Sequence, residues 1–254
     1  MFDQIETGTS GATGRRAALA PQVQEGRGRY AGSIAKARPR DDAWRAFVES
    51  HDTRLQSYRP HEVVFYEDDP ADHLYEIAEG SVMLYCLLGD GRRQVVDILG
   101  AGDLIGISGT GYFDCSAEAL SEVRLRMLDR QSIERDPALQ VHVNRCLMSR
   151  IEGRHSHAVL LGRKSASERV ASFLMRFVPG RGEMGCRGPQ TGDDSRTVVL
   201  RMSRQEIADY LGLTIETVSR TLSDMKRRGI ISIEKNDHIR LASVCRVCKL
   251  TGIH

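Results

Sequence analysis

At 254 residues the chain is long enough for one large domain or two ordinary domains, and its hydrophobic content of 41% supports buried cores. A formal net charge of +2 excludes a protein that binds polyanions by bulk charge, so any basic surface must be local. The sequence contains no apolar run long enough to span a membrane and no apolar N-terminal signal segment. We therefore expect a cytoplasmic protein without membrane partners.

Residues 1–40 form a segment rich in Gly, Ala, Arg and Gln with few large apolar residues, a composition that predicts disorder. Basic residues outnumber acidic ones in this segment, so we predict a basic arm. It either solubilises the chain or aids non-specific attraction to DNA. All six cysteines lie after the arm and are scattered, which agrees with reduced thiols in a cytosolic setting.

Residues 41–130 have the pattern of a small β domain preceded by one short helix. Residues 43–55 are typical of an amphipathic helix with Trp44, Phe47 and Val48 on its buried side. After this helix, short apolar runs are separated by recurrent glycines, which favours a small antiparallel barrel or jelly roll. These glycines are Gly80, Gly89, Gly91, Gly100, Gly102 and Gly106.

A long helix is predicted over residues 137–162, within a connecting region that we delimit as 131–163. Pro137 suits the first turn, and apolar residues recur at near-heptad spacing. One apolar seam on a helix between two domains indicates a coiled-coil homodimer. The predicted dimer interface consists of Val143, Leu147, Ile151, Ala158 and Leu161. The polar residues bordering the seam are interpreted as solvated flanks, with tuning of dimerisation as the alternative: Arg150, Arg154, His155 and His157.

Residues 164–254 are assigned to a second domain, which begins with a helix over residues 165–177. Ser165 and Glu168 have the spacing of a capping box at the start of this helix. A Gly-rich polar loop follows and contains Cys186 between two arginines. A cysteine in basic surroundings is a candidate redox thiol, and an ordinary exposed thiol is the alternative.

The stretch from Met202 to Arg228 has the pattern of two short helices joined by a tight turn. Ser203 and Glu206 form a second capping box. Gly212 lies where the first helix must end, because glycine adopts the left-handed conformation without strain. Thr214 can cap the second helix. This pattern predicts a helix-turn-helix, whose second helix lies in the DNA major groove.

The outward face of the second helix carries side chains suited to reading base edges. Arg220 has the planar fork that binds guanine O6 and N7, Glu216 can accept from cytosine N4, and Ser219 allows close approach. A solvated face with an i,i+4 ion pair is the alternative. We predict DNA-backbone contacts from Ser203, Arg204, Thr214, Thr217, Lys226, Arg227 and Lys235.

After this helix, residues 230–234 and 238–241 alternate around a polar turn, which predicts a hairpin that forms the wing of a winged helix. The tail contains Cys245 and Cys248 at C-x-x-C spacing. No second cysteine pair accompanies them for a tetrahedral zinc site, and the tail lacks the βαβ setting of a redox motif. We therefore expect a frayed terminal helix or tail and no metal.

The run G-L-T-I-E-T-V-S-R at 212–220 resembles the cyclic-AMP receptor protein/FNR superfamily of bacterial regulators, in its FNR and FixK/FnrN branch. The similarity covers about residues 55–241 and includes LLGRKSASERVASFL at 160–174 and a nucleotide-binding-type roll at 74–106. The resemblance implies that Arg220 reads a guanine, Glu216 its neighbourhood and Ser219 a thymine in a TTGAT-type half-site.

Three departures from the family pattern argue against a cofactor or a nucleotide ligand. The resemblance would imply clustered N-terminal cysteines that hold an iron–sulfur cluster, and residues 1–40 contain none. A further ligand cysteine of that branch corresponds to Arg126, which cannot bind iron. Cyclic-AMP receptors carry an Arg-Ser pair for the cyclic phosphate, whereas this sequence has Cys115-Ser116-Ala117 and lacks the guanidinium. We therefore expect no cofactor.

The sequence thus predicts an α+β protein with an N-terminal antiparallel β-roll of the cyclic-nucleotide-binding jelly-roll type, a long dimerisation helix and a C-terminal winged helix-turn-helix. The implied function is a non-enzymatic regulator that binds a double-stranded TTGAT-N4-ATCAA-like palindrome as a homodimer. It would contact RNA polymerase and activate genes for low-oxygen metabolism, nitrogen fixation or denitrification. The alternatives are an effector-gated regulator on the same scaffold, responding to a cyclic nucleotide or haem, and a module that does not bind DNA.

Overall fold

The computed structural model describes residues 42–50, 55–178, 180–181, 188, 192–235 and 237–252, without the side chains of Ser50 and Lys235. Its helices are α1 (Asp42–Ser50), α2 (Arg130–Arg135), α3 (Pro137–Arg163), α4 (Ala166–Arg176), α5 (Arg204–Leu211), α6 (Ile215–Arg227) and α7 (Val244–Lys249). Its strands are β1 (Leu55–Tyr58), β2 (Val63–Phe65), β3 (His73–Glu79), β4 (Ser81–Leu87), β5 (Arg93–Gly100), β6 (Leu104–Ile105), β7 (Ser116–Ala119), β8 (Val123–Asp129), β9 (Arg196–Val199), β10 (Ile231–Lys235) and β11 (His238–Leu241). The predicted basic arm and Cys186 lie outside the described residues.

Strands β1 to β8 form a roll of two four-stranded antiparallel sheets, in the orders β1-β8-β3-β6 and β2-β7-β4-β5. Its interior holds apolar side chains that are almost fully buried, such as Ile77, Leu84 and Leu125. Phe65 stacks on Phe113 inside the roll, with ring centroids 3.8 Å apart. The antiparallel β-roll that the glycine spacing predicted is thereby confirmed.

Helix α1 covers one end of the roll by packing on α3. The Trp44 ring stacks on His142, with centroids 4.1 Å apart and planes within 10°. The prediction that this helix reaches Leu55 was wrong. Leu55 instead begins β1, where it pairs with Arg126 of β8. The hydrogen bonds between these antiparallel strands stabilise an extended backbone at this residue.

The region between the two domains contains the short helix α2 and the 27-residue helix α3. They are separated at Asp136, whose side chain accepts hydrogen bonds from Ala138 N at 2.8 Å and Leu139 N at 3.4 Å. Pro137 occupies the first turn of α3, where its missing N–H costs nothing. The predicted long helix is confirmed. No helix in the described part of the chain combines the length and apolarity needed to cross a membrane.

The second domain consists of α4 to α7 and a three-stranded sheet in the order β10-β11-β9. Its apolar core is continuous with one side of the roll, which contributes Met83, Tyr85, Val95, Ile98 and Leu120. Helix α5 lies against strand β5. The two domains therefore share a buried apolar interface.

The terminal helix α7 belongs to this core. Ser243 caps the helix, and its hydroxyl donates to the Asp194 carboxylate at 2.8 Å. Val244, Val247 and Cys248 are buried in the core of the second domain. The sequence predicted a frayed terminal helix or tail. A terminal helix is present, but it is packed and not frayed, because these residues at i, i+3 and i+4 form one apolar face against the core.

Candidate nucleic-acid interface

The first helix of the helix-turn-helix is α5, and its two ends form as the sequence predicts. The Ser203 side chain accepts from Glu206 N, and the Glu206 carboxylate accepts from Ser203 N, which completes the capping box. Gly212 ends the helix in the left-handed region at φ 59°. A β-carbon at Gly212 would lie only 3.2 Å from Leu161 Cδ2, so the turn is tight sterically as well as conformationally.

The second helix, α6, separates an apolar face from a polar one. The Thr214 hydroxyl caps it by accepting from Thr217 N at 3.2 Å. The apolar face is buried through Val218, Leu222 and Met225. The three candidate base-reading residues lie exposed together on the opposite side: Glu216, Ser219 and Arg220. Their i, i+3, i+4 spacing places them on one face in the first two turns of α6.

Glu216 on this face carries a negative charge in the free protein. Glu216 is fully exposed, yet its pKa lies below the ordinary value. Hydrogen bonds from its own backbone N–H and from the Thr214 hydroxyl, together with the nearby Arg220 charge, stabilise the carboxylate. Glu216 is therefore ionised at neutral pH and acts as a hydrogen-bond acceptor beside the Arg220 donor fork.

The candidate backbone-contact residues differ in their availability. Those exposed at the surface are Ser203, Thr214, Lys226 and Arg227, whereas Arg204 and Thr217 are half-buried and the Lys235 side chain lies outside the described residues. Arg227 forms an ion pair with Asp224, which neutralises part of its charge locally. Lys226, exposed at the last turn of α6, is the clearest candidate for a phosphate contact.

A wing flanks α6. Strands β10 and β11 pair antiparallel from Ile231 with Leu241 to Lys235 with His238, and β9 adds a third strand to β11. The hairpin that the sequence predicts is present. The domain is therefore a winged helix-turn-helix with the polar face of α6 open to solvent.

Helix α3 exposes apolar residues, but not all of those that the heptad pattern selected. Val143 and Leu161 are partly buried against the chain's own cores, so less of each side chain is available to the predicted dimer seam. The large apolar residues exposed on α3 are Val141, Met148, Ile151 and Val159. Ala158 is also exposed, and Leu147 is half-buried. The exposed apolar stripe is therefore rotated around α3 relative to the predicted seam, because the other apolar face of the helix packs within the protomer.

Arg169 is a structural residue that the sequence analysis missed. Its Nη2 donates to the Leu161 carbonyl at 2.7 Å and its Nη1 to the Leu211 carbonyl at 2.9 Å. Nη1 also lies 3.3 Å from the carbonyl oxygen of Gly212. One guanidinium thus joins the end of α3 to the turn of the helix-turn-helix. The two contacts with the turn span more than 40 positions, so no local motif signals them.

His157 was expected on a solvated flank of α3, and that interpretation is wrong. The side chain is buried, its ring stacks on Tyr210 with centroids 4.2 Å apart, and Nε2 lies 2.8 Å from the Tyr210 carbonyl oxygen. Burial lowers the pKa of His157 below the ordinary histidine value, so the neutral ring is favoured and Nε2 donates to this carbonyl. The contact holds α3 against α5.

In the roll, the segment that would face a cyclic phosphate is already occupied by internal contacts. Cys115 is buried among apolar residues, as expected of a small hydrophobe, and burial raises the pKa of its thiol. The Ser116 hydroxyl accepts from Glu67 N at 3.0 Å. Arg126 pairs with Glu76 across strands β8 and β3. These side chains stabilise the roll itself.

A β-roll, a long connecting helix and a winged helix-turn-helix with an exposed polar recognition helix define a DNA-binding transcriptional regulator. Two family models match the chain, one described as a cyclic nucleotide-binding domain over residues 55–135 and the other as a Crp-like helix-turn-helix domain over residues 168–249. Together they cover the roll and the second domain.

Individual relatives agree with this class. The chain is 41% identical over 176 residues to the nitrogen fixation regulation protein FixK of Bradyrhizobium diazoefficiens, covering 68% of this chain and 71% of that protein. It is 37% identical over 180 residues to the transcriptional activatory protein AadR of Rhodopseudomonas palustris, covering 69% and 72%. The solved structure of FixK2 from Bradyrhizobium japonicum superposes with a TM-score of 0.69 at 34% identity, covering 80% of this chain and 100% of that one. The chain belongs to the Crp/FNR family of transcriptional regulators.

Proposed function

We propose that the protein is a homodimeric activator that reads a TTGAT-N4-ATCAA-like palindrome and controls genes for low-oxygen metabolism, nitrogen fixation or denitrification. One observation carries the proposal. Glu216, Ser219 and Arg220 lie exposed on one face of the first two turns of α6, whose other face is buried. The FixK relative bears the name of a nitrogen fixation regulator, which supports the physiological part.

Each side chain has a distinct role in this proposal. The Arg220 guanidinium donates two hydrogen bonds to the guanine, and Ser219 contacts a thymine. The ionised Glu216 accepts from the amino group of the cytosine that is paired with this guanine. Lys226 and the other candidate phosphate ligands position the helix without reading sequence. Contacts with RNA polymerase would follow once the dimer is bound at a promoter.

Dimerisation uses the exposed stripe on α3. Val141, Met148, Ile151 and Val159 are large apolar side chains open to solvent on the connecting helix. An isologous contact between two copies would remove them from water and bring two recognition helices to one side of the DNA. The two half-sites would then lie about one helical turn apart.

A regulator gated by an effector on the same scaffold is the second candidate. The match of the roll to a cyclic nucleotide-binding domain favours it. Cys115 and Ser116 argue against a cyclic phosphate, because neither supplies the positive charge that such a group requires. Calorimetry with cyclic nucleotides and a visible spectrum of the purified protein test this candidate. Clear binding or a chromophore would replace the ligand-free proposal.

The DNA-binding proposal is tested by fluorescence anisotropy on the palindrome and on a scrambled duplex, at one stated salt concentration. Specific binding is expected to be about 10³-fold tighter or more. Arg135→Ala, an exposed change on α2 away from the recognition face, is the matched control and should leave both affinities unchanged. Equal binding of the two duplexes by the wild-type protein would refute the proposal.

A further inference from the structure

His61, Glu118 and Glu206 converge where the β-roll meets the DNA-binding domain. His61 Nδ1 lies 3.2 Å from Glu118 Oε1 and 3.4 Å from Glu206 Oε1. The three candidate ligand atoms all lie within 4.8 Å of one another. His61 is in the turn between β1 and β2, Glu118 is on β7 and Glu206 is on α5. Both domains therefore contribute donor atoms to one small volume.

The two carboxylates are buried, with only 8% of Glu118 and 3% of Glu206 exposed. Buried carboxylates that face each other repel unless a cation or a proton lies between them. Their outer oxygens are engaged, since Glu206 Oε2 accepts from Ser203 N at 2.6 Å and Glu118 Oε2 lies 3.5 Å from Arg93 Nη1. The inner Oε1 atoms of both carboxylates point towards His61.

Arg93 does not fill this inner position. Its Nε donates to the Asp209 carboxylate at 2.9 Å, and its Nη1 approaches Glu118 from the outer oxygen. On the other side, the cluster borders a cleft that is open to solvent. The cleft is lined by His61 and Glu206, together with Arg201, Arg204 and Asp237. A hydrated ion can therefore reach His61 and Glu206 from solvent without unfolding of either domain.

We propose that His61, Glu118 and Glu206 bind one divalent transition-metal cation, with Zn²⁺ as the best chemical fit. Zinc takes imidazole nitrogen and carboxylate oxygen at about 2.0–2.2 Å, so two ligands in a tetrahedral arrangement lie about 3.4 Å apart. The separations of 3.2 Å and 3.4 Å from His61 agree with this geometry. Three protein ligands leave a fourth position for water from the cleft, and the imidazole disfavours Mg²⁺ and Ca²⁺.

The ion would connect the roll to the first helix of the helix-turn-helix. Glu206 is the third residue of α5, and the other two ligands belong to the roll. Zn²⁺ would therefore restrict rotation of the DNA-binding domain relative to the roll. The effect on DNA affinity rests on the proposed function, because it requires paired recognition helices at a fixed separation. Metal binding itself does not depend on that function.

Binding is tested by titrating Zn²⁺ into the full-length, chelator-treated protein by calorimetry in the absence of DNA. The wild type is expected to take one equivalent per chain at this site. His61→Asn removes the imidazole, and asparagine tolerates the left-handed backbone of that position at φ 67°. This variant and Glu118→Gln should each weaken binding at least tenfold, on the order expected for loss of a ligand or its support. Metal-free His61→Asn should remain folded, with the circular dichroism spectrum of the wild type.

A cysteine-based site must be distinguished, because Cys245 and Cys248 lie at i and i+3 on α7. The Cys245→Ser/Cys248→Ser double variant should still bind the one equivalent of Zn²⁺ that depends on His61. Co²⁺ bound at the proposed site should give ligand-field bands without a thiolate charge-transfer band. The proposal would be overturned if His61→Asn bound Zn²⁺ as tightly as the wild type. It would also be overturned if only the cysteine variant lost the bound Zn²⁺.

The regulatory consequence is measured separately by anisotropy on the palindrome with and without Zn²⁺. Wild-type affinity should change with Zn²⁺, whereas His61→Asn should bind DNA identically under both conditions. A protein that reads the palindrome but takes up no Zn²⁺ would refute only the metal site. A protein that binds Zn²⁺ through His61 but does not discriminate the palindrome would refute only the proposed function.

Discussion

Arg176 on α4 and Asp97 on β5 form an ion pair across the interface between the two domains, with Nη2 2.9 Å from Oδ1. The same Nη2 donates to the Ile98 carbonyl at 2.8 Å, and Nη1 donates to the Tyr210 hydroxyl at 2.7 Å. The guanidinium thus contacts the roll and α5 at once. It holds the DNA-binding domain against β5, beside the apolar contacts of the shared core.

Arg176→Met should destabilise the protein because it leaves the Asp97 carboxylate unpaired at a mostly buried position. The expected loss is about 3 kcal/mol, the low end for a broken buried pair. The low end applies because 20% of the Arg176 side chain and 12% of the Asp97 side chain remain exposed. Urea unfolding measures this loss. The double variant Arg176→Met/Asp97→Leu should recover part of it, and equal destabilisation in both variants would contradict the assigned pairing.

Arg220→Ala should weaken binding to the cognate half-site by about 1–3 kcal/mol and relax discrimination at one base pair. The cause is loss of a bidentate contact to a guanine. Anisotropy on duplexes substituted at each half-site position measures the effect. A uniform loss across all duplexes would show that Arg220 contacts phosphate instead.

Lys226→Ala should weaken binding to every duplex by a similar factor, because a phosphate contact carries no sequence information. The slope of log affinity against log salt should become shallower by about 1. Binding measured at several salt concentrations gives this slope. A sequence-dependent loss, or an unchanged slope, would remove Lys226 from the backbone contacts.

Met148→Glu should dissociate the dimer, because it places two charges opposite each other in an apolar contact. A cost on the order of 3 kcal/mol corresponds to about a hundredfold weaker association. Sedimentation measures the mass. Ser156→Glu, an exposed change on the same helix outside the apolar stripe, is the control and should remain dimeric. If both variants sediment as the wild type does, α3 does not form the interface.

Acid should destabilise the contact between α3 and α5 through His157. Its folded-state pKa is lowered, chiefly by burial, so the unfolded chain binds the proton more tightly. The unfolding free energy is therefore unaffected by this group well above about pH 6.5, decreases as the pH falls below that value, and stops decreasing once the pH is below the lowered folded pKa. His157→Gln should remove this part of the pH dependence in urea unfolding between about pH 7.5 and pH 5.5. His155→Gln, which alters an exposed ring, should retain it.

The elements of the recognition motif were predictable because their determinants are local. A serine with a glutamate three residues later satisfies the free N–H groups of a helix start, and this holds at Ser165 and Ser203 alike. Gly212 and Thr214 define the turn through backbone conformation and capping. The exposed face of α6 then follows from helical periodicity once the apolar residues are known.

The contacts between domains could not be read from spacing. His157 appeared as one more polar residue beside an apolar seam, and only the approach of Tyr210 buries it. The heptad pattern on α3 includes residues of two faces. It did not reveal that Val143 packs near α1 while Met148 stays open. Periodicity gives the angle of a residue around a helix but not the identity of its neighbour.

Arg169 has a mechanical consequence for how DNA is approached. Arg169 donates hydrogen bonds to the carbonyls of both Leu161 and Leu211. We therefore expect the last turn of α3 and the turn between α5 and α6 to move together. A small twist of the two paired helices about each other would then be transmitted as a change of pitch in both recognition helices. In the proposed dimer, we expect this contact at the end of α3, far from any base, to set the spacing of the half-sites that the protein accepts.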